Sequence, residues 1–254
     1  MKKNIFAATA ALIIMVSMEQ AAGAKTLLDS LEYDLRIGYT IGGTMPMNIP
    51  NTVRKLNKYT VKLCGEIAFD VHADLGKHWG IMTGLAFEKK AMSIEATVKN
   101  YHMTIIRGGE ELTGNFTGRN NSDVSFWMFT IPLLATYDVG SNVRLKLGPY
   151  ASILTSRNFD GCAHDGYLRV DDPTGAKIEV GNTESTRGVY DFSDDMRRVQ
   201  YGIRAGADWQ FYHSWGAFAD LSWGLHDIFS SGFHTVQMTL YPIYGTIGIV
   251  YKLN

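Results

Sequence analysis

Apolar and polar residues alternate with a period of two along most of this chain, most clearly over residues 126–154, FWMFTIPLLATYDVGSNVRLKLGPYASIL. Trp127, Phe129, Ile131, Leu133, Ala135 and Tyr137 fall on one side; Thr130, Thr136 and Asp138 fall on the other. Past a turn at 139–142, Val143, Leu145, Leu147, Ala151 and Ile153 alternate with Arg144, Lys146, Tyr150 and Ser152. Successive side chains of a strand point to opposite faces, so this stretch reads as two long strands joined by a tight turn. About ten residues per pass, apolar on one face and charged on the other, suits a strand whose outside meets lipid and whose inside is wet.

The pattern recurs in both directions. Residues 32–41 set Tyr33, Leu35, Ile37 and Tyr39 against Asp34, Arg36 and Thr40. Residues 58–72 predict one strand, with Tyr59, Leu63, Ile67, Phe69 and Val71 outward and Lys62, Glu66, Asp70 and His72 inward. Residues 79–98 follow, with Trp79, Ile81, Leu85 and Phe87 opposite Glu88, the later half rising above the membrane. After the central hairpin come strands at 197–212 (with Arg204 and Asp208 inward), 215–229 (with Asp220 inward) and 236–253. The expected fold is all-β: an eight-stranded antiparallel up-and-down transmembrane β-barrel behind an N-terminal signal peptide.

The connections alternate as well. Those after strands two, four and six are short; those after strands one, three and five are long (about 42–57, 99–122 and 157–196). Bacterial barrels have short periplasmic turns and long extracellular loops, which places both termini in the periplasm. Tyr33, Tyr59, Trp79, Trp127, Tyr137, Trp209, Trp215 and Tyr251 sit near strand ends, where aromatic belts belong. A soluble lipocalin-like barrel shares the periodicity with its apolar face turned inward. Loop alternation, aromatic placement and strand length favour the membrane.

The N-terminus adds a compartment. Met1-Lys2-Lys3-Asn4 is basic, residues 5–18 are an apolar run too short to span, and Ala22-Gly23-Ala24 is an A-x-A-like cleavage site. This is the pattern of a secretory signal peptide, giving 1–24 as signal and 25–254 as the barrel domain, exported to the cell outer membrane. The rest of the chain has no run of about eighteen apolar residues, so a transmembrane helix is not expected. Lys+Arg 24 against Asp+Glu 25 gives a net charge of -1, which makes no electrostatic case for nucleic acid. Cys64 and Cys162 fall in a strand and in a long loop, and are read as separate thiols.

The inward set is the candidate chemistry. Arg36, Lys62, Arg144, Lys146 and Arg204 face Asp34, Glu66, Asp70, Glu88, Asp208 and Asp220. An eight-stranded barrel is just wide enough for side chains to fill it, so charges of both signs are expected to pair and plug the lumen. The alternative is a proton or ion path. No nucleophile, base and orienter are fixed together by His72, His78, His213, His226, Ser141, Ser214 or Ser222, and G-x-S-x-G is absent, so no enzyme is expected. Zinc spacing is missing, and the acidic loop, with Asp165, Asp171-Asp172 and Asp194-Asp195, lacks the D-x-D-x-D-G calcium spacing. No metal or cofactor is expected. Those loop acids are instead candidates for contact with an envelope or extracellular protein or a glycan, alongside membrane lipid and the barrel-assembly machinery.

Three stretches carry a family resemblance. These are Ile131-Pro132-Leu133-Leu134 with Leu147-Gly148-Pro149-Tyr150, then Tyr201-Gly202-Ile203-Arg204-Ala205-Gly206-Ala207, then Ser222-Trp223-Gly224-Leu225-His226-Asp227-Ile228. Together they resemble the PorT-like outer-membrane β-barrel family of Bacteroidetes over residues 31–254. The resemblance implies an outer-membrane location in a Gram-negative bacterium. The founding member serves a secretion system, but most relatives have no assigned role, so that activity does not transfer.

Overall fold

The computed structural model describes residues 31–46, 50–233 and 239–253. The expected signal peptide lies outside them. Eleven strands are present among the described residues: β1 (Leu31–Pro46), β2 (Val53–Val61), β3 (Gly65–Gly76), β4 (Trp79–Arg107), β5 (Glu110–Val139), β6 (Val143–Val170), β7 (Lys177–Val180), β8 (Gly188–Asp191), β9 (Val199–Tyr212), β10 (Trp215–Gly224) and β11 (Leu240–Lys252). Eight of them close a ring. β1 pairs β3, and β4, β5, β6, β9, β10 and β11 follow in antiparallel order until β11 returns to β1.

Register fixes the size of the ring. From Leu31 the pairing passes through Ala73, Ile81, Ala135, Leu147, Ala205, Leu221 and Gly245, and returns to β1 at Ile41, ten residues further on. With ~3.3 Å per residue and ~4.7 Å between strands, that stagger tilts eight strands by roughly 40°. At this tilt, the ten residue steps from Tyr137 to Trp127 on β5 cover roughly 25 Å, the height of an outer-membrane apolar band.

The two faces are inverted relative to a soluble protein. Leu35, Ile37, Ile67, Leu85, Ile131, Leu133, Leu147, Ile203 and Ile247 are exposed on the outside, whereas Arg36, Glu66, Asp70, Glu88, Lys146 and Arg204 are buried inside. An apolar exterior around a charged interior excludes the lipocalin-like alternative. Aromatics ring both rims. Trp79 meets Tyr137 and Trp215 meets Tyr251 at one end, and Phe87 stacks between Trp127 and Phe129 at the other. Ile131 sits near mid-depth, 57% exposed. Ile131→Arg is expected to lower stability in vesicles by about 2–4 kcal/mol, read as a lower urea midpoint. The same change at Ile106, exposed on the part of the sheet beyond the membrane band, should stay within about 0.5 kcal/mol.

The short connections, 77–78, 140–142 and 213–214, share one end of the ring, here the turn end. Lys77 and His78 both take positive φ, as a two-residue hairpin turn requires. The long connections share the other end, and there the structure departs from the sequence reading: the expected 42–57 loop is strand at both ends, β1 running to Pro46 and β2 starting at Val53, and four larger differences stand beside it.

First, residues 58–72 are not one strand. A bulge at 62–64 separates β2 from β3, with Ala91 donating its N–H to the Cys64 sulfur (3.0 Å). Gly65 pairs Lys89 whereas Val61 pairs Met92, so β2–β3 spends one residue more than β4 between those points. One extra residue reverses the in–out alternation. Lys62 therefore stands outside the lumen, its side chain 43% exposed and paired with Asp123 at 2.5 Å.

Second, residues 99–122 are not a loop but the upper half of the β4–β5 hairpin, closed by Gly108 and Gly109 in the left-handed region that a tight turn of this kind needs. Third, much of 157–196 is strand, because β6 runs on to Val170 and β7 and β8 pair back on it. Fourth, β10 stops at Gly224. Beyond it Ile228 and Phe229 turn into the barrel mouth, and Phe229 bridges Met196. The expected start of the last strand at 236 falls outside the described residues.

Candidate functional site

Two features carry candidate chemistry: the charged lumen, and a β-cap above it. In the lumen, inward positions of neighbouring strands bring opposite charges together. Arg36 on β1 donates to Asp70 on β3 (3.1 Å), Asp220 on β10 (2.7 Å) and Asp208 on β9 (3.4 Å). Lys146 on β6 reaches Asp208 (2.6 Å) and Asp220 (3.0 Å). The Phe218 ring lies 3.8 Å from the Arg36 guanidinium carbon and gives that cation an aromatic face. Glycines make room for the carboxylates. A Cβ on Gly206 would fall 1.9 Å from Asp220 Oδ1, and one on Gly84 2.2 Å from Asp70 Oδ1.

A second cluster sits closer to the loop end. Arg204 donates to Glu88 and lies 3.4 Å from Glu66, and Lys90 pairs with Glu88 at 2.5 Å. Lys90 also lies 5.0 Å from the Tyr244 ring, and Arg204 5.8 Å from that of Tyr150. At the turn-end mouth Arg144 binds Asp138 (2.7 Å) and Glu32 (2.9 Å), and Lys252 and His72 also approach Glu32. Ten of the eleven residues expected to face inward are therefore gathered in the lumen or at its mouth, and Lys62 is the exception. Sequence reasoning missed Lys90, although its position continues the inward series of Gly84, Ala86 and Glu88. It also missed the mouth residues Glu32 and Lys252, and paired none of these charges.

The lumen charges do not balance. Six carboxylates (Asp34, Glu66, Asp70, Glu88, Asp208, Asp220) face four cations (Arg36, Lys90, Lys146, Arg204). Asp34 stands out. It lies directly across from Asp70 in the β1–β3 register, is 2% exposed, and its Oδ1 receives no hydrogen bond among the described residues.

Above the ion pairs the lumen turns apolar. Phe126, Met128, Leu154, Ile228, Leu240 and Tyr244 are buried across the mouth, with Phe126 edge-on to Tyr244 at 6.2 Å. The same core continues upward into the cap. There β4, β5 and β6 extend past the membrane band, and β8 pairs both β6 (Cys162↔Val189) and β4 (Ile106↔Val189), closing a second, smaller ring. Met103, Ile105, Phe116, Ala163 and Leu168 fill it, none more than 2% exposed. Burial pushes the Tyr101 phenol there up to about 12. A cavity of about 410 Å³ opens on the cap's flank beside Asp123, Asp160, Cys162 and Arg187. Burial raises the Cys162 thiol, and both cysteines are free.

The candidate loop acids are spread out rather than gathered. Asp165 lies 3.1 Å from His164 and 4.0 Å from Arg119. Asp171 and Asp172 form the turn after β6; Thr174 donates to Asp172 from backbone and hydroxyl (both 2.7 Å) and holds its carboxyl below the usual range. Asp194, fully exposed, pairs with Arg157 (3.2 Å) in the 3-10 turn Ser193–Asp195, where the Asp195 carbonyl accepts from Ser230. No group of three or more His, Cys, Asp or Glu among the described residues has metal-holding geometry.

Among solved structures the chain is similar to Ail, the attachment invasion locus protein of Yersinia pestis, in a complex with the heparin analogue sucrose octasulfate. Identity is 10% over 88% of this chain and 99% of that one, with a TM-score of 0.40. It is also similar to the translocator domain of the autotransporter NalP from Neisseria meningitidis (13% identity, 96% and 97% covered, TM-score 0.25). A third likeness is to the Ralstonia pickettii toluene transporter TbuX (8% identity, 94% and 93% covered, TM-score 0.24). At these TM-scores the likenesses carry no argument about activity. No curated protein matches the sequence. The sequence does match the outer membrane protein beta-barrel domain over residues 19–230, most of its length, and the chain belongs to that family.

Proposed function

We propose that this protein is a closed, non-enzymatic outer-membrane barrel that presents a rigid β-cap outside the cell for contact with an envelope protein, an extracellular protein or a glycan. The observation that carries the reading is the double seal of the lumen. Paired charges fill its middle, and the apolar core of the cap runs down into its mouth. In this reading the charges are structural, and no metal or cofactor takes part. The signal peptide at 1–24 exports the chain, the barrel-assembly machinery inserts it, and the long segments around 42–57, 99–122 and 157–196 face outward with the acids Asp165, Asp172 and Asp194 on their surface. Within the family, the three quoted stretches support a reading as a PorT-like barrel of Bacteroidetes.

Planar-bilayer recording on the folded protein tests the seal. A band that shifts on boiling, with no discrete conductance steps, is the expected result. Steps through folded protein would overturn the plug and favour a narrow transporter or a secretion-system accessory. Unchanged barrel assembly with altered turnover or flux in Arg204→Met or Glu66→Gln would favour transport or lipid modification. Deleting residues 160–195 is a poor test of partner capture, since it removes Ala163, Leu168, Val180 and Tyr190 from the cap core. Substitution of the exposed Asp172 and Asp194 leaves that core intact.

A further inference from the structure

The outer face of the β2–β4 wall carries a row of lysines where the apolar band ends. Lys89 is the next outward residue above Phe87 on β4, and its ammonium lies 5.3 Å from the Trp127 ring centroid. Lys62 follows in the bulge, then Lys58 opposite Glu95 and Lys55 opposite Thr97. Lys62 is held by Asp123 at 2.5 Å, and the carboxylate of Glu95 lies 3.9 Å from Arg119. Among the described residues, no carboxylate lies within ion-pair distance of Lys55, Lys58 or Lys89. The row occupies the height from Lys89 to Thr97 on β4, roughly 20 Å at the barrel's tilt. The β10 and β11 walls differ, since their outward residues near this rim are Trp223, Leu225 and Ile243.

We propose that this row binds the phosphate-bearing headgroup of an outer-leaflet glycolipid. Lysine stems lie along apolar surface while their ammonium groups reach the polar layer, and anionic headgroups begin where the apolar band stops. The stacked Phe87, Trp127 and Phe129 mark that level directly beneath Lys89. Positive charge in excess of its acidic partners, gathered on the β2–β4 wall from headgroup height upward, has the complementary chemistry. The wall then anchors one side of the barrel to the lipid layer beneath the cap. The proposal rests on the outward orientation of the loop end given above.

Native mass spectrometry of the detergent-solubilised full chain with monophosphoryl lipid A tests it. The wild type should retain the lipid, and the same lipid stripped of its phosphate should be retained about tenfold less or worse. Lys55→Gln/Lys58→Gln/Lys89→Gln should lower retention about tenfold, whereas Lys77→Gln/Lys99→Gln/Lys177→Gln, equal in charge change, should leave it unchanged. A boiling-shift gel verifies that each variant is folded. Undiminished retention in the first variant, or equal loss in both, would overturn the proposal. So would displacement of the lipid by millimolar inorganic phosphate, which would indicate a site for the free anion. Orientation is read separately, by a membrane-impermeant maleimide on intact cells carrying Glu110→Cys in a Cys162→Ala background. Labelling only after lysis would overturn the outward cap, and that outcome is distinct from a failure to bind lipid A.

Discussion

Replacing Arg36 with methionine is expected to destabilise the barrel by about 3–5 kcal/mol, because it leaves the buried Asp70 without a cation and takes one of two cations from Asp220 and Asp208. Arg36 is 2% exposed and serves Asp70, Asp208 and Asp220; Lys146 can hold the last two, but Asp70 has no other cation in contact. The readout is the urea midpoint of the boiling-sensitive band in vesicles. The companion variant, Asp34→Asn, should be neutral or stabilising, since Asp34 adds a sixth lumen carboxylate whose buried Oδ1 has no donor and which faces Asp70 across the strand pair. If both variants cost the same, the interior tolerates charge through water rather than pairing, and the plug would have to be abandoned. A large loss in Asp34→Asn alone would mean that Asp34 holds a cation of its own.

The second large effect belongs to the cap. Phe116 is 0% exposed in its core, and Phe116→Ala should cost about 3–5 kcal/mol there. The cap ring is closed by β8 through short pairings, so its opening is expected to be local. Limited proteolysis of intact vesicles should then cut within 99–122 and 157–196 while the protected barrel still shifts on boiling. Loss of the boiling shift would show that cap and barrel unfold as one unit. Because the cap core continues into the lumen mouth through Phe126 and Met128, a conductance trace on the same variant reports whether the seal depends on the cap.

The barrel was legible because its physics is periodic. One face in lipid and one in a packed interior impose an alternation that a single sequence displays, and ten of the eleven charges expected to face inward do so. Lys62 escaped because a bulge inserts one residue at 62–64, and Gly65 just after it does not by itself reveal a change of face. Lys90 falls in the later half of the 79–98 strand, expected to rise above the membrane, whereas the lumen continues to the Tyr244 level. The cap was only half legible. Tyr101, Met103 and Ile105 alternate as a strand should, but Phe159, Leu168, Val180, Tyr190 and Met196 come from separate short segments. Their shared burial is a fact of tertiary packing, which sequence spacing does not encode. Likewise, nothing in the order of residues shows that one oxygen of Asp34 is left without a donor among the described residues.

Closure of the ring has a consequence for assembly order. β1 joins β11 from Asp34↔Lys252 to Pro46↔Leu240, residues about two hundred positions apart. Every other pairing in the ring can form as the chain emerges hairpin by hairpin, but this seam must wait for the end. Until then β1 presents a long, bare, apolar edge that invites pairing with another chain. Arg36 offers a remedy built into the strand itself, for it belongs to β1 yet grips Asp220 and Asp208 on β10 and β9, beyond the seam. A charge on the first strand thus has its strongest partners near the last. The latch cannot engage on an incomplete ring, so a barrel that has closed is also one that has been proofread.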